Sequence, residues 1–392
     1  MADMALWGIY VHIPFCPYKC FYCDFDSGVY SEPLGHSARF KDRVGIPLME
    51  AYCAALREEI ARARATDLAV DTIYVGGGTP SLLDPGSLQE ILQAVYQSFA
   101  IQPGVEITIE ANPGTITAEK ARALRALGVN RVSLGAQTFS EPELRVLGRQ
   151  HTADHTVESV ALLRAAGFEN LNVDLIIGIP GQTLESWERT MDRAFSMQPT
   201  HISVYMLEIH EGTPLAAHVA RGHVEEPDEM LTVRMYERFV ERAEAEGYEH
   251  YEISNFCRPG FACRHNLKYW SDDPYLGFGC SAHSYDYRER RWNVATPRAY
   301  VEAMRERGNA VAGRIVMTER RRIEDALMLG LRRRRGVDLR TFQKRYGVDV
   351  LDLYGDHLAP LAEAGLIEIS GGQLRLTRRG LVLANEVFAV FV

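Results

Sequence analysis

The chain has 392 residues, 46% of them hydrophobic and 24% charged, with a formal net charge of −9. This is the composition of a folded protein with room for one large domain and a smaller one, without disorder bias, and its acidic balance argues against broad nucleic-acid affinity. No run approaches the roughly 18 unbroken apolar residues of a spanning helix, and the opening MADMALWGIYVHIPF lacks the basic start of a secretory leader, so a cytoplasmic protein with no transmembrane segment is expected.

From Leu6 to about Glu208, short apolar runs alternate with amphipathic stretches. The runs are LWGIYVHI, DTIYVGGG, VEITIEAN, NRVSLGAQ, LNVDLIIG and HISVYMLE. After the first, residues 27–46 have little periodicity and read as an extended surface loop. Over 47–65, Met49, Tyr52, Leu56 and Ile60 recur at helical spacing, and Cys53 beside them reads as a buried core thiol. Asp84-Pro85, and Thr117 followed by Glu119 and Lys120, mark helix starts; Gly128 and Gly167 mark stops. Six β-then-α units predict an α/β fold whose parallel sheet curls into a partial (β/α)6 barrel of the TIM type, assigned to residues 1–225. An open doubly wound sheet is the alternative.

Residues 226–313 form an extension, with a helix at about 228–247 and an aromatic-rich stretch to about 298. Beyond it, residues 314–392 carry 14 Lys and Arg against 10 Asp and Glu, so a basic module follows an acidic one. Helices are expected at 319–331, 339–346 and 350–364, then a hairpin, GLIEISGGQLRLT, turning at Gly371-Gly372, and a last helix over 379–391. That outline is a winged-helix-like α+β domain. The run Arg332–Arg335 reads either as a DNA contact or as the solvated basic face of a packing domain. The second is favoured, because nothing else in the chain is built for base readout.

Seven cysteines are present, and three fall within eight residues as Cys16-x3-Cys20-x2-Cys23. A disulfide framework is out of place in such a chain. Three thiolates on one short loop suit a [4Fe-4S] cubane that keeps one iron free, and the amino and carboxylate groups of S-adenosylmethionine (SAM) can chelate that iron. The alternative is a zinc loop completed by His12, Cys257, Cys263 or Cys280. The loop follows the first strand, so it lies on the rim where barrel sites are built. Other strand ends bring Gly76-Gly77-Gly78-Thr79-Pro80, Glu110-Ala-Asn112-Pro113, Gly135-Ala-Gln137 and Asn172-Val-Asp174 to the same rim, with Arg149 just beyond. Such convergence marks a ligand site.

These residues resemble the radical SAM signature. The strings YVHIPFC, GGGTPS, EANP, RVSLGAQTF, LGRQH, NVDLIIGIPGQT, YEISNF, RHNLKYW and LGFGCSAHS together resemble the anaerobic coproporphyrinogen oxidase-like family, and within it the HemW-type heme chaperones, over essentially the whole chain. The resemblance implies Cys16, Cys20 and Cys23 as cluster ligands. It implies Tyr10, Gly77, Gly78, Thr79, Glu110, Gln137, Arg149 and Asp174 as SAM-binding residues, with Tyr22 over the adenine and Glu208 lining the pocket. The oxidases resemble Cys-x3-Cys-x2-Cys-x-Cys, whereas Phe25 stands at the last place here; they also carry a long segment where 15 residues precede Cys16. Both departures count against decarboxylation.

His265-Asn266-Leu-Lys-Tyr269-Trp270 resembles the HNxxYW motif associated with heme. Imidazole is a natural axial ligand and an aromatic pair can stack on a porphyrin, so the resemblance makes His265 the expected heme ligand. Cys263 is read as a buried thiol, with thiolate ligation as the alternative. Without the resemblance, a lone histidine beside aromatics reads as a hydrogen-bonded structural residue. The implied function is a heme chaperone that passes heme to an unidentified acceptor protein, served by an electron donor such as flavodoxin or ferredoxin. The implied alternatives are an oxygen-independent coproporphyrinogen III oxidase and a radical heme-ring-opening enzyme. No residue is singled out as catalytic.

Overall fold

Six parallel strands frame the computed structural model, which describes residues 5–29 and 46–391; the loop expected at 27–46 lies outside them from residue 30 to 45. The strands are β1 (Trp7–Ile13), β2 (Ala65–Gly77), β3 (Phe99–Ala111), β4 (Arg131–Gln137), β5 (Asn170–Ile177) and β6 (His201–Met206). They are apolar runs covered by helices, as parallel strands require, and β4 is buried along its whole length. They lie side by side in chain order. A doubly wound sheet would reverse its strand order at a switch point, so the partial barrel is the fold and the alternative falls away. The connecting helices begin where the sequence signals them. Asp84 accepts from the Ser87 N–H and Thr117 from the Lys120 N–H, caps worth about 1 kcal/mol each.

Residues beyond β6 widen this sheet at both edges. On one side β7 (Glu249–Glu252) and β8 (Asn255–Cys257) extend it, with β8 antiparallel to β6; on the other, β9 (Tyr275–Phe278) adds parallel to β1, followed by β10 (His283–Tyr285), β11 (Glu289–Asn293) and β12 (Val311–Val316). The twelve-stranded sheet does not close. The helix Glu229–Ala245 buries Met235, Phe239 and Val240, and Phe239 packs on Trp187 and Phe195.

A short helix, Arg264–Trp270, fills the barrel toward the strand N-termini. Glu106 of β3 accepts the backbone N–H groups of Arg264 and His265, each at 3.1 Å, placing a carboxylate at the positive helix end. Asp71 of β2 pairs with Arg264 at 2.9 Å and with the buried Lys268 at 2.6 Å.

The C-terminal module has helices Glu319–Leu331, Leu339–Tyr346 and Val350–Glu363. Its small sheet is made of β13 (Val337–Asp338), β14 (Ile367–Ser370) and β15 (Gln373–Leu376). The winged-helix-like outline is therefore present. Two expectations need correcting. The single helix expected over 379–391 is two short helices, Arg378–Val382 and Ala384–Phe388, and a 3-10 turn. The backbone leaves the helical region at Leu383 (φ −106°, ψ 31°), and Leu381, Val387 and Phe391 are all buried. Nor is Arg332–Arg335 wholly a solvated face: Arg335 is exposed, but the other three are half-buried. Arg332 lies 4.4 Å over the Trp270 ring, Arg333 Nη1 donates to Ser271 Oγ at 3.2 Å, and the Arg334 N–H donates to the Tyr251 carbonyl at 3.0 Å. The run stitches the module to the extension. Asp272, also buried, completes that joint: it accepts from the Tyr346 hydroxyl at 2.7 Å and from the Tyr285 hydroxyl, with Arg345 at 3.3 Å and Arg322 at 3.4 Å.

Candidate functional site

Where β1 ends, the chain turns into a hoop. The Cys16 N–H donates to the Gly28 carbonyl at 2.9 Å and the Gly28 N–H to the Pro14 carbonyl at 3.0 Å, which holds the three thiols at the strand C-termini. The end of β2 supports this hoop from beside it: the Gly78 N–H donates to the Ile13 carbonyl and the Thr79 N–H to the Phe15 carbonyl, both at 2.8 Å. A Cβ on Gly78 would lie 2.8 Å from the Phe15 oxygen and 2.9 Å from Cys16 Sγ, so the approach needs glycine.

Each thiol has a donor beside it. The Thr79 hydroxyl is 3.6 Å from Cys16 Sγ, Arg149 Nη1 is 3.5 Å from Cys20 Sγ, and Lys19 Nζ is 3.8 Å from Cys23 Sγ. Donors and cations around sulfur suit three thiolates, the form in which cysteine binds a cluster. Among the described residues, none of the fourth ligands that the zinc alternative offers joins the three thiols. His12 lies between the Tyr10 hydroxyl (3.0 Å) and the Asp26 carbonyl (3.3 Å), and Cys257, Cys263 and Cys280 are buried in the core. Among the described residues no three His, Cys, Asp or Glu side chains are placed to hold one metal ion.

The three cysteines open into a cavity of about 470 Å³. Its wall carries Tyr22, Gly77 and Gly78 near the hoop, then Glu110, Gln137, Arg149 and Asp174 from the following strands and loop. Glu110 accepts from the Tyr74 hydroxyl at 2.8 Å and from the Gly77 N–H at 3.0 Å. Burial pushes its carboxyl up to about 7, against the opposing pull of those two bonds. Asp174 accepts from the Ser133 hydroxyl at 2.9 Å and from Asn172 Nδ2 at 2.7 Å, and burial raises it too. Gln137 sits in the left-handed region (φ 68°), where the β4–β5 register slips between Gly135 and Gln137. Such a bulge re-aims a side chain at a strand end. Arg149 Nη2 donates to Asn112 Oδ1 at 2.9 Å. Two carboxyls and a guanidinium thus line one space sized for a small zwitterionic ligand.

Three of the expected site residues lie elsewhere. Thr79, 1% exposed, stands behind Cys16 and accepts from Asn112 Nδ2 at 2.8 Å. Tyr10 faces a neighbouring cavity of about 480 Å³, which shares Asp24, Phe25, Gly77 and Glu110 with the first. His265, also 1% exposed, is on the floor helix: Nδ1 lies 2.9 Å from the Thr72 hydroxyl, Nε2 lies 2.9 Å from the Tyr269 hydroxyl, and the ring packs 5.3 Å from Tyr74. Burial, then Lys268 and Arg131, lower its pKa to about 3. The anchors at Glu106 and Asp71 turn the helix so that His265, the expected heme ligand, points inward with both ring nitrogens within hydrogen-bond reach of hydroxyls.

Sequence reasoning passed over Tyr74, which shares the inward face of β2 with Thr72 and Gly76; that period-2 alternation was the available signal. At the mouth, Glu208 lines the cavity, His210 Nε2 lies 3.6 Å from both Asp24 and Glu208, and Phe25 is 66% exposed between the two cavities.

Comparison with known proteins adds relatives to this geometry. The family model described as Radical SAM superfamily matches residues 10–194, and that described as HemN C-terminal domain matches residues 317–383. Heme chaperone HemW of Bacillus subtilis is 36% identical over 389 residues, covering 98% of this chain and 98% of its own. Heme chaperone HemW of Lactococcus lactis is 34% identical over 385 residues, covering 98% and 96%. The solved structure of coproporphyrinogen III oxidase (HemN) from Escherichia coli, described as a radical SAM enzyme, superimposes with a TM-score of 0.83 at 25% identity, covering 99% of this chain and 90% of that one.

Proposed function

The chain belongs to the HemW family within the radical SAM superfamily, and from this we propose that it is a heme chaperone, taking up heme and handing it to an acceptor protein. Near-full-length similarity to curated heme chaperones carries this reading. Cys16, Cys20 and Cys23 would hold a [4Fe-4S] cluster, and Glu110, Gln137, Arg149, Asp174, Tyr22, Gly77 and Gly78 would hold SAM beside it. Together these groups supply one-electron chemistry at a sulfonium. The protein's own part is positional. Glu110 and Asp174, when ionised, accept hydrogen bonds from an amine or from ribose hydroxyls; Arg149 offsets thiolate charge at Cys20. Thr79 steadies Cys16 from behind, and Tyr10 meets whatever enters the neighbouring cavity. A flavodoxin- or ferredoxin-type donor and a cytoplasmic setting complete the proposal; among the described residues, no helix is long and apolar enough to cross a membrane.

A decarboxylating enzyme is the second reading, favoured by the likeness to the oxidase structure. Phe25, exposed at the shared mouth, stands where that resemblance expects a fourth cysteine, and it weighs against the enzyme. The deciding experiment mixes anaerobically reconstituted protein with heme, SAM and dithionite. A stable, shifted Soret band without 5′-deoxyadenosine or altered porphyrin is expected of a carrier. SAM cleavage coupled to a changed porphyrin would make the protein an enzyme.

A further inference from the structure

The geometry points to His283, rather than the His265 of the HNxxYW motif, as the imidazole that meets the heme iron; this rests on the heme-chaperone reading above. His283 opens β10 and is solvent-accessible, and among the described residues neither of its ring nitrogens has a hydrogen-bond partner. Its ring stacks on Trp292, the residue opposite it in β11, with centroids 5.9 Å apart and planes 25° apart. Nearby burial, then Arg290, hold its pKa below the ordinary value, which favours the neutral, ligating form.

His283 also sits where two cavities meet. It lines the 480 Å³ cavity beside the cluster site and a second of about 330 Å³, and Tyr269 and Tyr275 line both. The first shares Gly77, Glu110 and Phe25 with the cysteine cavity, so neighbouring spaces lead from the thiols to this imidazole. Flat aromatic walls beside a free imidazole are what a porphyrin needs. Arg290 also lines the second cavity, where it pairs with Asp325 at 3.0 Å. The placement is built in: β10 presses so close to β9 that a Cβ on Gly277 would overlap the His283 carbonyl.

The other histidines at the site fit less well. His265 has both nitrogens engaged, but its bond to the Tyr269 hydroxyl fixes a wall of the His283 cavities, and Tyr269 in turn stands edge-on to Tyr275 at 4.7 Å. The motif therefore contributes its aromatic edge, with His265 as a positioning residue. His210 has the carboxylates of Asp24 and Glu208 each 3.6 Å from Nε2, which cover that nitrogen.

The test titrates heme into the full-length protein and into His283→Ala and His265→Ala, reading Soret position, spin state and affinity. His283→Ala should lose the wild-type Soret position and bind about tenfold or more weakly, and added imidazole should restore the wild-type spectrum. His265→Ala should bind heme more weakly, because the Tyr269 wall loosens, while the heme that binds keeps a histidine-ligated Soret position. A His283→Ala protein with unchanged Soret band and affinity would overturn the inference while leaving the chaperone reading intact. Wild-type protein that fails to shift the Soret band at all would remove the chaperone reading itself.

Discussion

The Tyr74 hydroxyl donates to Glu110 Oε1 at 2.8 Å, so a phenol from the second strand fixes the carboxyl of the third at the wall of the cysteine cavity. With the Glu110 carboxyl held near 7 by burial, the ionised form that would accept the SAM amine is only part-populated at neutral pH. SAM affinity should therefore rise roughly tenfold between pH 6 and pH 8. Tyr74→Phe removes a bond that pulls this pKa down, so its rise should move to higher pH. Calorimetric titration across that range checks both, and a flat profile would exclude Glu110 from the site.

His265→Ala should destabilise the protein by about 2–4 kcal/mol, because it opens a cavity and strands the Thr72 and Tyr269 hydroxyls. The cost should depend on pH. The folded-state pKa near 3 lies below the usual 6.5, so the wild-type histidine contributes stability above pH 6.5 and loses it as pH falls toward 3. The gap between wild type and variant should narrow by about 1.4 kcal/mol per pH unit below 6.5. Urea denaturation at several pH values measures this.

Asp272→Ala should loosen the C-terminal module, leaving Arg322, Arg345 and Tyr346 without their shared carboxylate. Breaking such a buried pair costs about 3 kcal/mol. Hydrogen exchange should quicken in the helix Leu339–Tyr346 and stay unchanged in β1.

Gly78→Ala should lower cluster occupancy, since the new methyl collides with the Phe15 carbonyl and Cys16 Sγ. Iron content after anaerobic reconstitution reads this directly. Gly355→Ala, whose added Cβ meets nothing within 4 Å, is the control and should load normally.

The legible parts of the chain were those with local causes. Asp84 and Thr117 announce their helices because a side-chain oxygen must satisfy the first free N–H groups, and the cysteine spacing announces its loop because three sulfurs must share one centre. Some strands added beside the six were not legible: β8 and β10 have three residues each, too few for a period to show. The motif around His265 was visible, but its direction was set by Glu106 and Asp71, residues more than 150 positions earlier. The contacts of the Arg332–Arg335 run were hidden for a similar reason, since Trp270 and Ser271 lie far from it in sequence.

The floor helix Arg264–Trp270 also governs traffic. With that end filled, a guest of the cysteine cavity is left the opposite side, whose wall carries Phe25 and His210 among the described residues. A small molecule seated deep against Glu110 and Asp174 has to arrive before anything broad settles across the entrance, and it departs after that cover is lifted. Occupancy would then follow a last-in, first-out order, with release of an outer guest gating exchange of the inner one.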